Sequence, residues 1–411
     1  MLGMRAPSSL WNPQAPRAVY LAIGTELTSG QITNRNAAWV SERLEKQGIP
    51  VTWHLTVPDD RGLMLEAMRL AAEQAELVFI SGGLGPTTDD FTREVIAEWW
   101  SAPLEWHEPS WVKVVERLRR RGLEAPESNR QQAYFPRGAR VLSNREGTAD
   151  AFLLERSGLS VVVLPGPPRE IQAVWEDHLR PWLSDRFGTF APIEPLKWQV
   201  LGRSEAEIGE WVEEAVQGSG LITGYRASPP YVEVKIWVPS GSSLATPEIA
   251  KAIQALEQKV GPWTVTRNQE NLLDQFFQAA TDPLRIVDGA TRGWLADRIW
   301  SWARSAPERA QLLESRRLEL IERVGVPVAA AMGFVQGELN AAPEDRLTLA
   351  LGPVDAALDF PWGIRRPVSG GSQIETRGER CAYPQSMRER QQKFQVEALF
   401  FGALRELYRS P

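Results

Sequence analysis

The 411 residues include a single cysteine, Cys381. An intrachain disulfide and a zinc centre built on thiolates are therefore both excluded, and a reducing, cytoplasmic setting fits best. Histidine is almost as scarce: His54, His107 and His178 fall in different segments, which leaves no histidine metal cluster to expect. Long apolar runs are missing too. Stretches such as Val161 to Leu164 are strand-sized, far short of the roughly 18 residues a membrane helix needs. The opening from Met1 to Ala15 carries Arg5, Pro7 and Trp11 but no apolar signal-peptide core, so export is not expected. An excess of positive charge is also lacking. With 46 Lys plus Arg against 52 Asp plus Glu, the net charge of −6 offers no field to attract nucleic acid or an anionic membrane. What is present is ordinary globular material, 43% hydrophobic and 24% charged, long enough for two to four domains. The 17 tryptophans are scattered through helical and strand patterns and read as core and interface residues.

From Ala18 to about Arg186, β-branched runs alternate with amphipathic helices, the pattern of a parallel sheet covered on both faces. Strands are predicted at 19–23, 51–57, 77–81 and 161–164, and helices at 36–47, 63–75 and around 171–182. Gly188, Pro192 and Pro195 mark a boundary. A smaller α+β module follows: a strand at 196–201, a helix to Val216 opened by the capping box Ser204 and Glu207, a strand at 231–238 and a helix at 247–260. The polar stretch from Gly261 to Asn271 reads as a linker. The third unit has clear helices at 294–303 and 391–408, whereas 354–382, rich in Pro, Gly and Arg, yields no assignment.

Chemistry is expected at three strand-to-helix junctions, because ligands of an open α/β sheet collect at the carboxyl ends of its strands. The strongest is Ser81-Gly82-Gly83-Leu84-Gly85-Pro86-Thr87-Thr88-Asp89-Asp90-Phe91-Thr92. Gly82, Gly83 and Gly85 let backbone approach a phosphate, with Thr87 beside it. Asp89 and Asp90 would repel that phosphate unless a divalent cation, Mg²⁺ or a similar hard ion, lay between them. The plainer reading is a glycine turn with Asp89 or Asp90 capping the next helix. At the first junction, Thr25, Glu26, Ser29, Asn34 and Asn36 offer hydrogen bonds to ribose or phosphate, with Glu26 able to orient a hydroxyl, hold metal or act as base. The alternative is a polar turn with Asn34 as cap. The third, Leu164-Pro165-Gly166-Pro167-Pro168-Arg169-Glu170, leaves Arg169 near a helix start where it would meet phosphate, or is simply a rigid turn.

These segments, Gly24-Thr25-Glu26-Leu27 with Gly30, the Ser81 to Thr92 loop, Asn129 with Gln132-Ala133, Gly147-Thr148-Ala149, and Leu164 to Pro168 with Glu170, resemble the CinA family in order over about 160 residues. The resemblance implies an α/β chain in three parts: a three-layer, doubly wound MoaB/MogA-like molybdopterin-binding domain at 18–190, a small α+β KH-like domain at 195–264, and an α/β CinA-like carboxyl-terminal domain at 270–411. It implies metal-dependent hydrolysis of the pyrophosphate of ADP-ribose or a related nucleotide in the first domain. Glu26 and Asp90 would be catalytic and Asp89 and Asp90 would hold metal. Thr25, Asn34, Asn36, Gly82, Gly83, Gly85, Thr87, Asn129, Gly147, Thr148, Gly166, Arg169 and Glu170 would contact substrate. A homodimer is implied, with a nucleotide as partner and neither nucleic acid nor membrane. Alternatives are a pterin-nucleotide-processing enzyme and a non-catalytic nucleotide sensor or scaffold.

The third unit departs from the family. Family members with nicotinamide-mononucleotide deamidase activity carry a Glu-Ser-(Cys or Ala)-Thr-Gly-Gly motif whose serine is the nucleophile. The matching stretch here is Asp288-Gly289-Ala290-Thr291-Arg292-Gly293, and Gly289 has no side chain to acylate. The deamidase site is therefore expected to be lost. Elsewhere, Cys381 among Arg377, Arg380 and Tyr383 is by default an unreactive loop cysteine, and the run Arg117 to Arg121 a solvated helix face.

Overall fold

In strand β1 (Ala18–Ile23) every residue is buried, as a strand covered on both faces requires. The computed structural model describes residues 11–188, 190–192 and 194–408. The opening stretch up to residue 10, and residues 189 and 193 of the expected boundary, lie outside the described residues. The chain forms two compact units, 11–194 with 239–241, and 195–238 with 242–408. No helix among the described residues is long and apolar enough to cross a membrane.

The first unit continues with α1 (Thr25–Thr28), α2 (Arg35–Lys46), β2 (Val51–Val57), α3 (Arg61–Gln74), β3 (Leu77–Ser81), α4 (Thr92–Trp100), β4 (Leu104–Trp106), α5 (Glu108–Arg119), β5 (Tyr134–Pro136), β6 (Arg140–Leu142), β7 (Ala151–Arg156), β8 (Leu159–Leu164), α6 (Pro168–Val174) and α7 (Arg180–Phe187). Its six-stranded sheet has the order β2-β1-β3-β8-β7-β6. The first four strands run parallel, β7 pairs antiparallel with β8, and β6 pairs antiparallel with β7 and so runs with the first four. Strand periodicity sorts the residues into two cores. Ala18, Tyr20, Ala22, Phe79 and Val162 face α2 and the α6 to α7 segment, packing on Val40, Leu44, Trp175 and Leu183. Val19, Leu21, Ile23, Val78, Ile80 and Val163 face α3 and α4, packing on Met64, Met68, Val95 and Ile96. This is the expected three-layer, doubly wound arrangement.

The second unit holds two sheets. Strand β9 (Leu196–Leu201), α8 (Glu205–Val216), β10 (Ile222–Ser228), β11 (Tyr231–Trp237), α9 (Pro247–Val260) and β12 (Thr264–Arg267) make an antiparallel sheet of order β10-β11-β9-β12. Half of the expected capping box forms: Ser204 accepts from Glu207 N at 3.2 Å, but the Glu207 carboxylate is taken by Arg203 instead. There follow α10 (Leu272–Ala279), β13 (Leu284–Asp288), α11 (Trp294–Ala303), α12 (Pro307–Ser315), β14 (Glu319–Glu322), α13 (Ala331–Asn340), β15 (Leu347–Leu351), β16 (Asp359–Val368), β17 (Gly371–Arg380) and α14 (Arg388–Tyr408). Their sheet has the order β14-β13-β15-β16-β17. Leu201 and Val265 of the first sheet share a core with Phe276, Phe277 and Phe400, and Arg298 donates to Glu397 beside Tyr231, so the two sheets cohere. Cys381 is buried, and burial pushes its thiol up, away from reactivity.

Glu257 gives this unit an acid sensitivity. Its carboxylate receives both Nε and Nη2 of Arg267, at 2.9 and 2.6 Å, and Nε1 of Trp198 at 2.7 Å. The Arg267 hydrogen bonds, more than the Trp198 one, hold it below its ordinary value. A depressed carboxyl stabilises the fold above its unfolded value, about 4.3 for glutamate, and loses that contribution as pH falls through the folded value. The expected result is that Glu257→Gln lowers the urea midpoint at pH 7 and that the gap from the parent narrows at pH 3; an equal gap at both pH values contradicts it.

Candidate functional site

The carboxyl ends of β1, β2, β3 and β8 open on a cleft of about 620 Å³. It is lined by the three junctions singled out in the sequence: Gly24, Glu26, Asn34 and Asn36 from the first, Gly82, Gly83, Gly85, Asp89 and Asp90 from the second, and Gly166 and Glu170 from the third. Asp59, just past the end of β2, also lines it.

The glycine loop is shaped by contacts that exclude side chains. Gly82 and Gly83 take φ of 105° and 65°, in the left-handed region. A Cβ on Gly82 would stand 2.1 Å from Ile23 O, and one on Gly83 2.1 Å from Thr92 Oγ1. The Thr92 hydroxyl in turn donates to Gly82 O at 3.0 Å. Gly82→Ala is expected to cost roughly 3 kcal/mol through strain and backbone overlap, read as a fall in Tm; an unchanged Tm contradicts the tight approach of the loop to β1. The N–H groups of Gly83, Leu84 and Gly85 have no acceptor among the described residues, an arrangement suited to receiving an anion.

Neither aspartate caps α4, whose cap position is Phe91 with no side-chain bond. Asp90 instead folds back, its Oδ2 accepting from Thr87 N at 3.0 Å and from the Thr87 hydroxyl. Gly85 makes room for it, since a Cβ there would lie 2.4 Å from that oxygen. Asp89 is exposed, and the adjacent Thr87 hydroxyl holds it below the usual carboxylate range. At the first junction Asn34 is the helix cap, accepting from Ala37 N at 3.0 Å, while lining the cleft as well. Asn36 Nδ2 donates to Gly166 O at 2.7 Å and so ties the first junction to the third. Glu26 is exposed over Gly24, where a Cβ would lie 2.6 Å from Oε1 at the movable end of the Glu26 side chain.

Other predicted contacts lie off the cleft wall. Asn129 is buried and donates to Gln132 Oε1 at 3.1 Å. Arg169 points from the exposed start of α6 and does not line the cleft, because Pro167 and Pro168 turn the chain before it. Gly147 acts as a floor for Glu170, whose Oε2 would lie 2.1 Å from a Cβ there, and the half-buried Thr148 beside it does not line the cleft. The histidines have local partners: His54 with Ser41, His107 capping α5 through Ser110, and His178 with Ser143 O. Arg117 is more than a solvated face, since its guanidinium holds the carbonyls of Arg145 and Glu146.

Several participants escaped the sequence reading. Asp59 Oδ2 accepts from Thr25 N and Oγ1 at 2.8 and 2.9 Å, pinning the first junction. Gln131 Nε2 donates to Gly85 O and Thr87 O at 2.9 and 3.0 Å. Arg93 is 2% exposed and donates to Leu84 O at 2.9 Å; burial pushes its pKa down to about 10. Asn144, fully buried, donates to Glu170 Oε2 at 2.7 Å and accepts from Glu146 N and Gly147 N, and its own N–H is held by Asp150, which Lys113 and Ser110 secure. Burial pushes the Glu170 carboxyl up, with the Asn144 bond opposing.

Among the described residues the cleft carries five carboxylates, Glu26, Asp59, Asp89, Asp90 and Glu170, against one cation, Arg35. Among the described residues no three such side chains converge on one point as a ready metal cage. The donors are all hard oxygens, Asp89 is exposed, and Asp90 Oδ1 carries no hydrogen bond to another described residue, which fits a Mg²⁺-type ion held by one or two carboxylates and completed by substrate phosphates.

Residues 19–185, which hold this doubly wound sheet and the glycine loop at its carboxyl edge, match the family described as "Probable molybdopterin binding domain". The chain is 32% identical over 286 residues to a "Putative competence-damage inducible protein" of Caldanaerobacter subterraneus subsp. tengcongensis, covering 69% of each. It is 42% identical over 203 residues to a "CinA-like protein" of Dictyoglomus turgidum, covering 49% of this chain and about half, 48%, of that relative. Among solved structures, the protein CinA of Thermoplasma acidophilum, described as of unknown function, is similar at 30% identity with a TM-score of 0.38, over 41% of this chain and 98% of that one. The chain belongs to the CinA, or competence-damage-inducible, family.

Proposed function

We propose that the first unit hydrolyses the pyrophosphate of ADP-ribose or a related nucleotide in a metal-dependent reaction. The observation that carries this reading is the pairing, in one cleft, of unbonded loop N–H groups suited to phosphate with five carboxylates that would repel it unaided. Asp89 and Asp90 would hold a divalent ion, which supplies charge neutralisation and polarises the phosphoryl group. The N–H groups of Gly83, Leu84 and Gly85 bind phosphate oxygens, and Asn34 and Asn36 hydrogen-bond ribose hydroxyls. Glu26, exposed at the cleft, orients a water molecule and accepts its proton as the water oxygen bonds to phosphorus. The bridging P–O bond breaks, and two monophosphates leave. The substrate itself follows from family resemblance alone.

The test is a set of dinucleotides incubated with the protein, with and without divalent cations, and resolved by product chromatography. Metal-dependent cleavage supports the enzyme; tight binding without turnover supports a sensor instead. A pterin-nucleotide product would favour the related processing reaction.

We also expect a homodimer, and light scattering showing only monomer mass over a wide concentration range contradicts it. The tryptophans supply few anchors for one: Trp53 and Trp300 are exposed, whereas Trp100, Trp175, Trp182, Trp198, Trp302 and Trp362 are buried.

A further inference from the structure

Arg93, in the first turn of α4, is almost wholly buried and forms no ion pair with any described residue. Its guanidinium lies behind the glycine loop: Nη1 donates to Leu84 O at 2.9 Å, the group sits over the Phe135 ring at 5.5 Å, and the residue does not line the cleft. Nε and Nη2 reach no acceptor among the described residues. Glu94, Asp150 and Asp90 act on it only through space; Asp150 is held by Lys113, Ser110 and Asn144 N, and Asp90 by Thr87. With a pKa of about 10 the group is charged at neutral pH.

Packing does not account for a cation in this place. Burying an ion with no partner is unfavourable. Nor does Leu84 O depend on it, because Gln132 Nε2 reaches the same oxygen at 3.3 Å. What Arg93 supplies is direction and charge. The C=O and N–H of a trans peptide point opposite ways, so drawing Leu84 O back turns the Gly85 N–H towards the cleft that Gly85 lines. A guanidinium on the carbonyl also polarises that peptide and strengthens its N–H as a donor.

We propose that Arg93 is a positioning residue for phosphate, whose buried charge lowers the stability of the empty protein and is compensated when a phosphate anion occupies the glycine loop. The inference rests on the reading of that loop as a phosphate receiver, and not on hydrolysis. The magnitude is sufficient: opposite unit charges about 7 Å apart, at an effective dielectric constant of about 20, attract strongly enough to change a binding constant by more than about tenfold.

The probe is α,β-methylene ADP, a nucleoside diphosphate whose carbon bridge resists hydrolysis, titrated calorimetrically into the full chain with Mg²⁺. Melting curves are taken on the same samples without the nucleotide. Arg93→Met, which nearly keeps the volume and the contact with Phe135, is expected to bind about tenfold or more weakly than the parent and yet to melt no lower. Arg93→Lys, which restores a point charge where only one donor is in use, is expected to bring the affinity back to within about threefold of the parent. A side chain that merely packs would do the reverse, losing stability in Arg93→Met and keeping affinity. An Arg93→Met protein that is unfolded, melts lower than the parent or binds the analogue as tightly overturns the inference, and so does Arg93→Lys binding as weakly as Arg93→Met. No binding by the parent contradicts the phosphate reading of the loop itself, and the inference falls with it.

Discussion

Replacing Asp90 with asparagine is expected to lower metal-dependent hydrolysis by roughly a hundredfold or more, the scale on which loss of a charge acting at a reacting phosphate is felt. The substitution is chosen for what it preserves. Asparagine keeps an oxygen to accept from Thr87 N and the Thr87 hydroxyl, and it fits the space that Gly85 leaves open. Stability should therefore change by less than about 1 kcal/mol, as for a half-exposed site away from the core. Kinetics and a melting curve on the same sample separate the two effects. Undiminished turnover in a folded Asp90→Asn protein contradicts the metal-site assignment.

A second large effect is an absence: no ammonia release from nicotinamide mononucleotide, although family membership would suggest it. Amide hydrolysis by a covalent route needs an activated side-chain nucleophile. Gly289 has none, and its place is closed, because a Cβ there would stand 2.5 Å from Phe334 Cε1 and 3.0 Å from Leu351 O. Thr291, two residues on, is fully buried, donates to Asp288 and accepts from Leu295 N at 3.0 Å, so it is committed to starting α11. Gly289→Ser is expected to stay inactive and to lose about 1–3 kcal/mol of stability through overpacking. Ammonia above background from the parent, lost in Thr291→Ala, would show that the nucleophile had moved.

Much of this was legible in the sequence. Periodicity placed 196–201, 247–260 and 294–303 at their observed bounds, since regular spacing and flanking glycines or prolines leave few alternatives. The three junctions meet in one cleft because a parallel sheet brings all its carboxyl ends to one edge. Hidden features depend on tertiary pairing. Asp59 follows Pro58 in an ordinary turn motif, and only its meeting with Thr25 gives it a task. Asn144, Asp150 and Lys113 come from separate segments whose convergence no local pattern signals. The hairpin of β16 and β17 carries Pro361, Gly363, Pro367 and Gly378, residues that argue against strands, and it forms because β16 pairs with β15 and buries Phe360, Trp362 and Ile364. Strand β12 falls within the stretch that reads as linker in the sequence, because four residues, Thr264–Arg267, are too few for a period to show.

The most direct measurement is to incubate the purified protein with ADP-ribose and Mg²⁺, in parallel with EDTA, and to quantify products by chromatography. Equal amounts of AMP and ribose 5-phosphate, formed only with the metal and lost in Asp90→Asn, are the result expected. ADP-ribose recovered intact in the presence of Mg²⁺, or cleavage indifferent to EDTA, would contradict the account.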